Sequence, residues 1–108
     1  MALTTIGLFK TNQPKECGIV QLKKNSIVEE IIEKPENPNG NLAFAGVIVA
    51  SDEIFSYFQK DVFDIAKDLL PKLVNTNKLY GFIIQETIID IGTPEGYKEA
   101  NKEIGVEV

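Results

Sequence analysis

The stretch Asp90-Ile91-Gly92-Thr93-Pro94 constrains this chain more than any other. An apolar run over 79–89 precedes it, and a helical pattern over 96–104 follows it. A carboxylate at the end of a buried strand, just before a helix, stands where open α/β sheets place their ligands. Thr93 is suited to cap that helix and Pro94 to enter its first turn, where a missing N–H costs nothing. Asp90 is then a carboxylate held in place, as a hard cation such as Mg²⁺ requires. The competing reading is a turn residue that ends a strand and bonds nearby backbone, a common role for Asp.

The rest of the pattern is α/β. Strands are expected over 3–10, 18–22 and 27–33, the last two forming a hairpin around a turn at 23–26. The polar segment 11–16 reads as a loop with Pro14, and 35–41 as a second loop rich in Pro, Asn and Gly. The apolar segment 42–50 is expected to be a buried strand. Ser51 or Asp52 is placed to cap a short helix reaching about Phe58. Segment 64–73 reads as a helix limited or kinked by Pro71. Apolar strands are expected over 79–84 and 87–91, and a last helix over 94–104.

The order of these elements matters. Strands dominate the first half, and helices come later, between strands. A free-standing doubly wound domain opens with a strand, a glycine-rich turn and a helix. Neither G-x-G-x-x-G nor G-x-x-x-x-G-K-[ST] occurs in the sequence. The pattern is that of the second half of a larger α/β domain.

Composition narrows the chemistry. The 108 residues are 44% hydrophobic, enough for a core and too apolar for disorder. A net charge of −5 argues against a nucleic-acid partner. No apolar run approaches the ~20 residues of a membrane span, so no membrane partner is expected. No charged-then-apolar leader is present, so a cytoplasmic location is expected. Cys17 is the one cysteine, which excludes an internal disulfide and a cysteine-based zinc site. With no histidine, Ser-His and Cys-His catalysis fall away. What is left is carboxylates, lysines, backbone amides and a hard metal ion.

Glu33-Lys34-Pro35, then Ala45-Gly46, then Asp90-Ile91-Gly92-Thr93-Pro94 follow one another in an informative order, with Gly18-Ile19-Val20 upstream and Asp68-Leu69-Leu70-Pro71 between. In these motifs the chain resembles the nucleotide-sugar pyrophosphorylases, the nucleotidyltransferases that join a sugar 1-phosphate to an NTP. The resemblance runs from Ile6 to about Lys102 and is closest to bacterial enzymes acting on mannose-, heptose- or glucose-1-phosphate. It implies an α/β fold with a mixed β-sheet and flanking helices, the second half of a Rossmann-like nucleotidyltransferase domain. Residues 1–108 would be its sugar-binding C-terminal half. The family's glycine-rich N-terminal motif, which cradles the triphosphate with a basic residue, and a second metal-binding aspartate from that half do not occur in these residues. The chain alone is therefore expected to be inactive, and Met1-Ala2 ahead of a mid-domain strand fits an expressed fragment or a truncated reading frame. The parent enzyme would take a sugar 1-phosphate, an NTP and Mg²⁺. Self-association through an exposed sheet edge is expected of the half-domain. The alternative is a non-catalytic sugar-phosphate-binding or assembly module.

The residues themselves carry alternatives. Lys34 precedes Pro35, which biases it to extended geometry, and its ammonium offers a point charge to a phosphate. The plain reading is a solvated lysine at a strand end; in the family the matching lysine contacts the sugar phosphate. Glu33 would point to the opposite face of a regular strand, as a surface carboxylate. Its family counterpart bonds sugar hydroxyls, which would need a twist or bulge. Gly18 and Gly46 let a ligand approach the backbone or permit a bulge; with Ala45 they match positions beside the sugar ring. Phe44 departs from the family, which often has Asn or a small residue contacting the sugar there, and Ile88 departs where an aromatic is common. Asp64 and Asp68, four apart on one helix face, read as solvated or capping groups.

Overall fold

The computed structural model describes residues 3–58, 64–89 and 91–105. Its centre is a five-stranded sheet of strands β1 (Thr4–Lys10), β2 (Gly18–Leu22), β3 (Val28–Glu33), β4 (Leu42–Ala50) and β5 (Leu79–Ile83), in spatial order β3-β2-β4-β1-β5. Only β1 and β5 run parallel; the other pairs are antiparallel, so the sheet is mixed, as expected from the sequence. β2 and β3 form the expected hairpin, closed by a 3₁₀ turn at Lys24–Ser26. There Asn25 (φ 64°) and Ser26 (φ 63°) take the left-handed backbone that turns the chain back.

One face of the sheet is covered. Ile6, Leu8, Val20 and Val28 pack with Leu69, Leu70, Leu73 and Leu79 in one buried cluster. Leu70 and Leu73 come from a short helix, α1 (Leu70–Val74), which a π-helical turn at Ile65–Leu69 leads into. The expected kink at Pro71 takes this form: the widened turn ends before Leu70, and Pro71 sits at the start of α1, where no N–H is required. Asp64 and Asp68 act as caps. Asp64 Oδ1 accepts the Lys67 N–H at 3.0 Å, and Asp68 Oδ2 accepts the Asp64 N–H at 2.9 Å.

The other face is closed around Ile19 and Ala43, which are buried, and exposed toward the later part of β4 and β5. β4 was expected to be buried, yet Val47 is 50% and Val49 70% exposed. β1 pairs along the strand and β2 only at Ala43; Ala43 is buried, but the second face is not packed at Val47 and Val49. Gly7 of β1 stands opposite Phe82 of β5, and a methyl at Gly7 would meet Val47 Cβ at 3.3 Å. Val47 and Phe82 therefore flank Gly7 on one face, with Phe82 66% exposed.

The second strand expected over 87–91 is not formed at residues 87–89. A strand needs a neighbour, and the last ladder bond beside β5 is the Ile84 N–H to the Leu8 carbonyl at 2.7 Å. β1 ends two residues later, at Lys10. After a loop, helix α2 (Pro94–Glu103) begins as the sequence implies: Thr93 is its N-cap and accepts the Gly96 N–H at 3.0 Å.

Candidate functional site

Lys34 follows the last residue of β3 and is the point at which the chain leaves the sheet. It is not extended, as Pro35 alone would bias it; its φ is 46°, in the left-handed region. The cause is a specific bond: the Lys34 N–H donates to the Cys17 carbonyl at 2.9 Å, tying the exit of β3 to the residue just before β2. That bond overrides the local preference, and it means that Glu33 and Lys34 do not alternate as neighbours in a continuing strand would.

The sheet places Gly18 and Glu33 directly opposite one another on β2 and β3. The Glu33 carboxylate lies over the glycine; a Cβ at Gly18 would come within 3.0 Å of Glu33 Oε2 and 3.9 Å of Phe44 Cβ. Gly18 thus makes room for a half-buried carboxylate on the packed face, beside Phe44, which itself packs against the core. Phenylalanine at 44 is explained by that packing.

Ala45 and Gly46 lie in a bulge. Between the pairs Leu8–Phe44 and Ile6–Ile48 the register shifts, so that residues 45–47 of β4 oppose Gly7 of β1. Gly46 has a φ of 78° and nothing within 4 Å of where a Cβ would stand. Its glycine is required by backbone, and the space beside it is open.

A cleft of about 860 Å³ joins two stretches that the sequence singled out separately. Lys34 lines it from the end of β3 and Thr93 from the start of α2, with Lys15 and Glu16 on the 3₁₀ turn Pro14–Glu16 between β1 and β2. Gly18, Glu33, Ala45 and Gly46 are not on its walls. A second, more polar cleft of about 650 Å³ opens at the carboxyl ends of the parallel pair β1 and β5, where Lys10, Glu86, Ile88 and Glu99 meet. Lys15 was not singled out in the sequence; a lysine in a polar loop beside a proline gives no signal until the fold brings it to Lys34.

Asp90 lies outside the described residues. Among the described residues no group of three or more His, Cys, Asp or Glu is placed to hold a metal ion. No helix of the described residues is long and apolar enough to cross a membrane.

The family profile described as "Nucleotidyl transferase" matches residues 1–107. The chain belongs to the nucleotidyl transferase family. Its curated relatives include mannose-1-phosphate guanyltransferase 2 of Candida glabrata, 27% identical over 95 residues that span 86% of this chain and 26% of the relative. They also include glucose-1-phosphate adenylyltransferase of Fervidobacterium nodosum, 30% identical over 112 residues, 95% of this chain and 27% of the relative. The chain thus spans about a quarter of the length of these relatives. Among solved structures, one named as a glucose-1-phosphate thymidylyltransferase of Bacillus anthracis superposes with a TM-score of 0.78 at 21% identity, covering 94% of this chain and 43% of that one. That likeness agrees with the mixed sheet and flanking helices of a Rossmann-like nucleotidyltransferase fold.

Proposed function

We propose that this chain is the sugar-phosphate-holding half of a nucleotidyltransferase domain whose whole joins an NTP to a sugar 1-phosphate, giving an NDP-sugar and pyrophosphate. The observation that supports it is the meeting of Lys34 and Thr93 on one cleft. In that reaction an oxygen of the sugar phosphate attacks the α-phosphorus of the NTP, and pyrophosphate leaves. The protein's share of such a transfer is positioning and charge neutralisation. Lys34 would hold the attacking phosphate. The positive end of α2, which opens on the cleft through its N-cap Thr93, would favour the same anion. Gly18, Glu33, Ala45 and Gly46 are proposed beside the sugar ring on the family resemblance, with Gly18 and Glu33 paired across β2 and β3. The names of the relatives support mannose- or glucose-1-phosphate as the sugar. Use of an NTP fits a cytoplasmic protein.

Isotope-labelled chain titrated with glucose 1-phosphate and mannose 1-phosphate is the test. Saturable amide shifts at Lys34, Thr93 and Gly96 are expected, absent with the free sugars and lost in Lys34→Ala. Adding NTP and Mg²⁺ to the same sample should release no pyrophosphate, because no glycine-rich triphosphate cradle is encoded in these residues. Turnover near the ~1 s⁻¹ or more of ordinary enzymes would overturn the half-domain reading.

Asp90 is proposed as the chain's one contribution to Mg²⁺ binding, on the family resemblance alone. One carboxylate and water make a weak site. Mn²⁺ should broaden amides on both sides of residue 90 at millimolar concentration, and Asp90→Asn should abolish that broadening while leaving the spectrum otherwise unchanged. Equal broadening in both proteins would return Asp90 to a turn residue.

A further inference from the structure

We infer that Lys15 is a second phosphate-holding cation of the cleft, and that Lys15 and Lys34 together select a phosphomonoester dianion over the uncharged sugar. This rests on the sugar-phosphate reading above and adds to it a residue that the family motifs do not supply. Lys15 is exposed, but its backbone is held. It sits on a 3₁₀ turn opened by Pro14, with the Glu16 N–H donating to the Gln13 carbonyl at 3.0 Å and the Gln13 N–H to Thr11 Oγ1 at 3.0 Å. The proline fixes one dihedral, and the two bonds fix the turn that carries the lysine. Its ammonium therefore searches a limited volume at the cleft that Lys34, tied through Cys17, also lines.

Among the described residues neither ammonium has an ion pair or a hydrogen-bonded partner. Two unpaired cations and a helix N-terminus around one cleft make a local positive field on a chain whose net charge is −5. Such a field is complementary to an anion carrying two charges in one group. A phosphomonoester at neutral pH is that anion, with its second proton lost near pH 6. Glu16, which also lines the cleft, is the opposing charge. It is suited to accept a hydroxyl of the sugar and would repel an anion placed against it, which restricts the phosphate to the Lys15–Lys34 side. Lysine, a point charge with three donors, suits a freely rotating phosphate better than a planar fork would.

The experiment is the same titration of the 108-residue chain with glucose 1-phosphate, with glucose as the uncharged control, in Lys15→Ala, Lys15→Arg and Lys15→Glu. Lys15→Ala should weaken glucose 1-phosphate about fivefold, the scale of one charge-assisted contact at a partly screened site. Lys15→Arg should recover most of that loss, and Lys15→Glu should remove measurable binding. The salt dependence should flatten in Lys15→Ala, because fewer charges then contribute. Unchanged affinity in Lys15→Ala, with binding lost in Lys34→Ala, would overturn the role of Lys15 and leave the sugar-phosphate reading standing. No binding to the unaltered chain at tens of millimolar would overturn both.

Discussion

Replacing Lys34 with glycine is expected to stabilise the chain and to abolish sugar-phosphate binding, opposite effects from one change. The backbone of Lys34 has a φ of 46° and is followed by a proline. A side chain held in the left-handed region costs roughly 1–2 kcal/mol, and the following proline ring crowds its α-type geometries further. Glycine adopts the same φ without that cost, although it is freer in the unfolded chain. The expected net gain is ~0.5–1 kcal/mol, a rise of a few degrees in Tm for a domain of this size. Lys34→Ala is the control: it removes the ammonium and keeps the Cβ, so it should lose binding with no gain in stability. Thermal melts of the three proteins, alongside the glucose 1-phosphate titration, check both halves. A lower Tm in Lys34→Gly would mean that the lysine stabilises the fold through its side chain, and that no strain is stored at the cleft.

That contrast also shows where sequence patterns stop being sufficient. The hairpin of β2 and β3 and the Thr93 cap were legible because their causes are local: alternating or β-branched runs, turn residues, a hydroxyl immediately before the helix it caps. Lys34 was misplaced because Pro35 is a local signal, whereas the Cys17 carbonyl that captures the Lys34 N–H is 17 positions away in the chain. Residues 87–89, expected to open a further strand after β5, form none for a related reason. Apolar residues at 87–91 satisfy the pattern, but β1 ends at Lys10 and offers no further partner. For β4, composition told that the segment is apolar and could not tell what covers it. The candidate site divides the same way. Lys34 and Thr93 belong to separate motifs and line one cleft, whereas Lys15 acquires meaning only from a turn that brings it to that cleft. Gly18 and Glu33, expected as neighbours of a sugar, turn out to be cross-strand partners, a relation set by hairpin register.

The 108-residue chain is expected to form dimers in solution, and the open face of the sheet is the expected contact. Val47, Val49 and Phe82 are 50%, 70% and 66% exposed, and the first and last flank Gly7, where a Cβ would also meet Ile84 Cδ1 at 2.9 Å. Burying a side chain of this kind is worth about 1.5–3 kcal/mol, so a few of them on each copy outweigh the repulsion of two chains at −5 each. In a solution of this chain alone, the available cover for that face is a second copy. Two strands, β3 and β5, also end the sheet, and a bridge between Ile27 and Tyr80 occupies part of the β5 edge. The two routes separate cleanly. Val49 lies on the interior strand β4, paired with Thr5 of β1, and Phe82 on the terminal strand β5, so the two positions report on different places in the sheet. Light scattering over a dilution series should show a dimer that tightens as salt screens the net charge. Val49→Lys and Phe82→Lys should each give a monomer with an unchanged far-ultraviolet spectrum. A dimer that survives Val49→Lys but not Phe82→Lys would place the contact on the β5 edge, and a strict monomer at millimolar concentration would mean that the open face does not drive association at all.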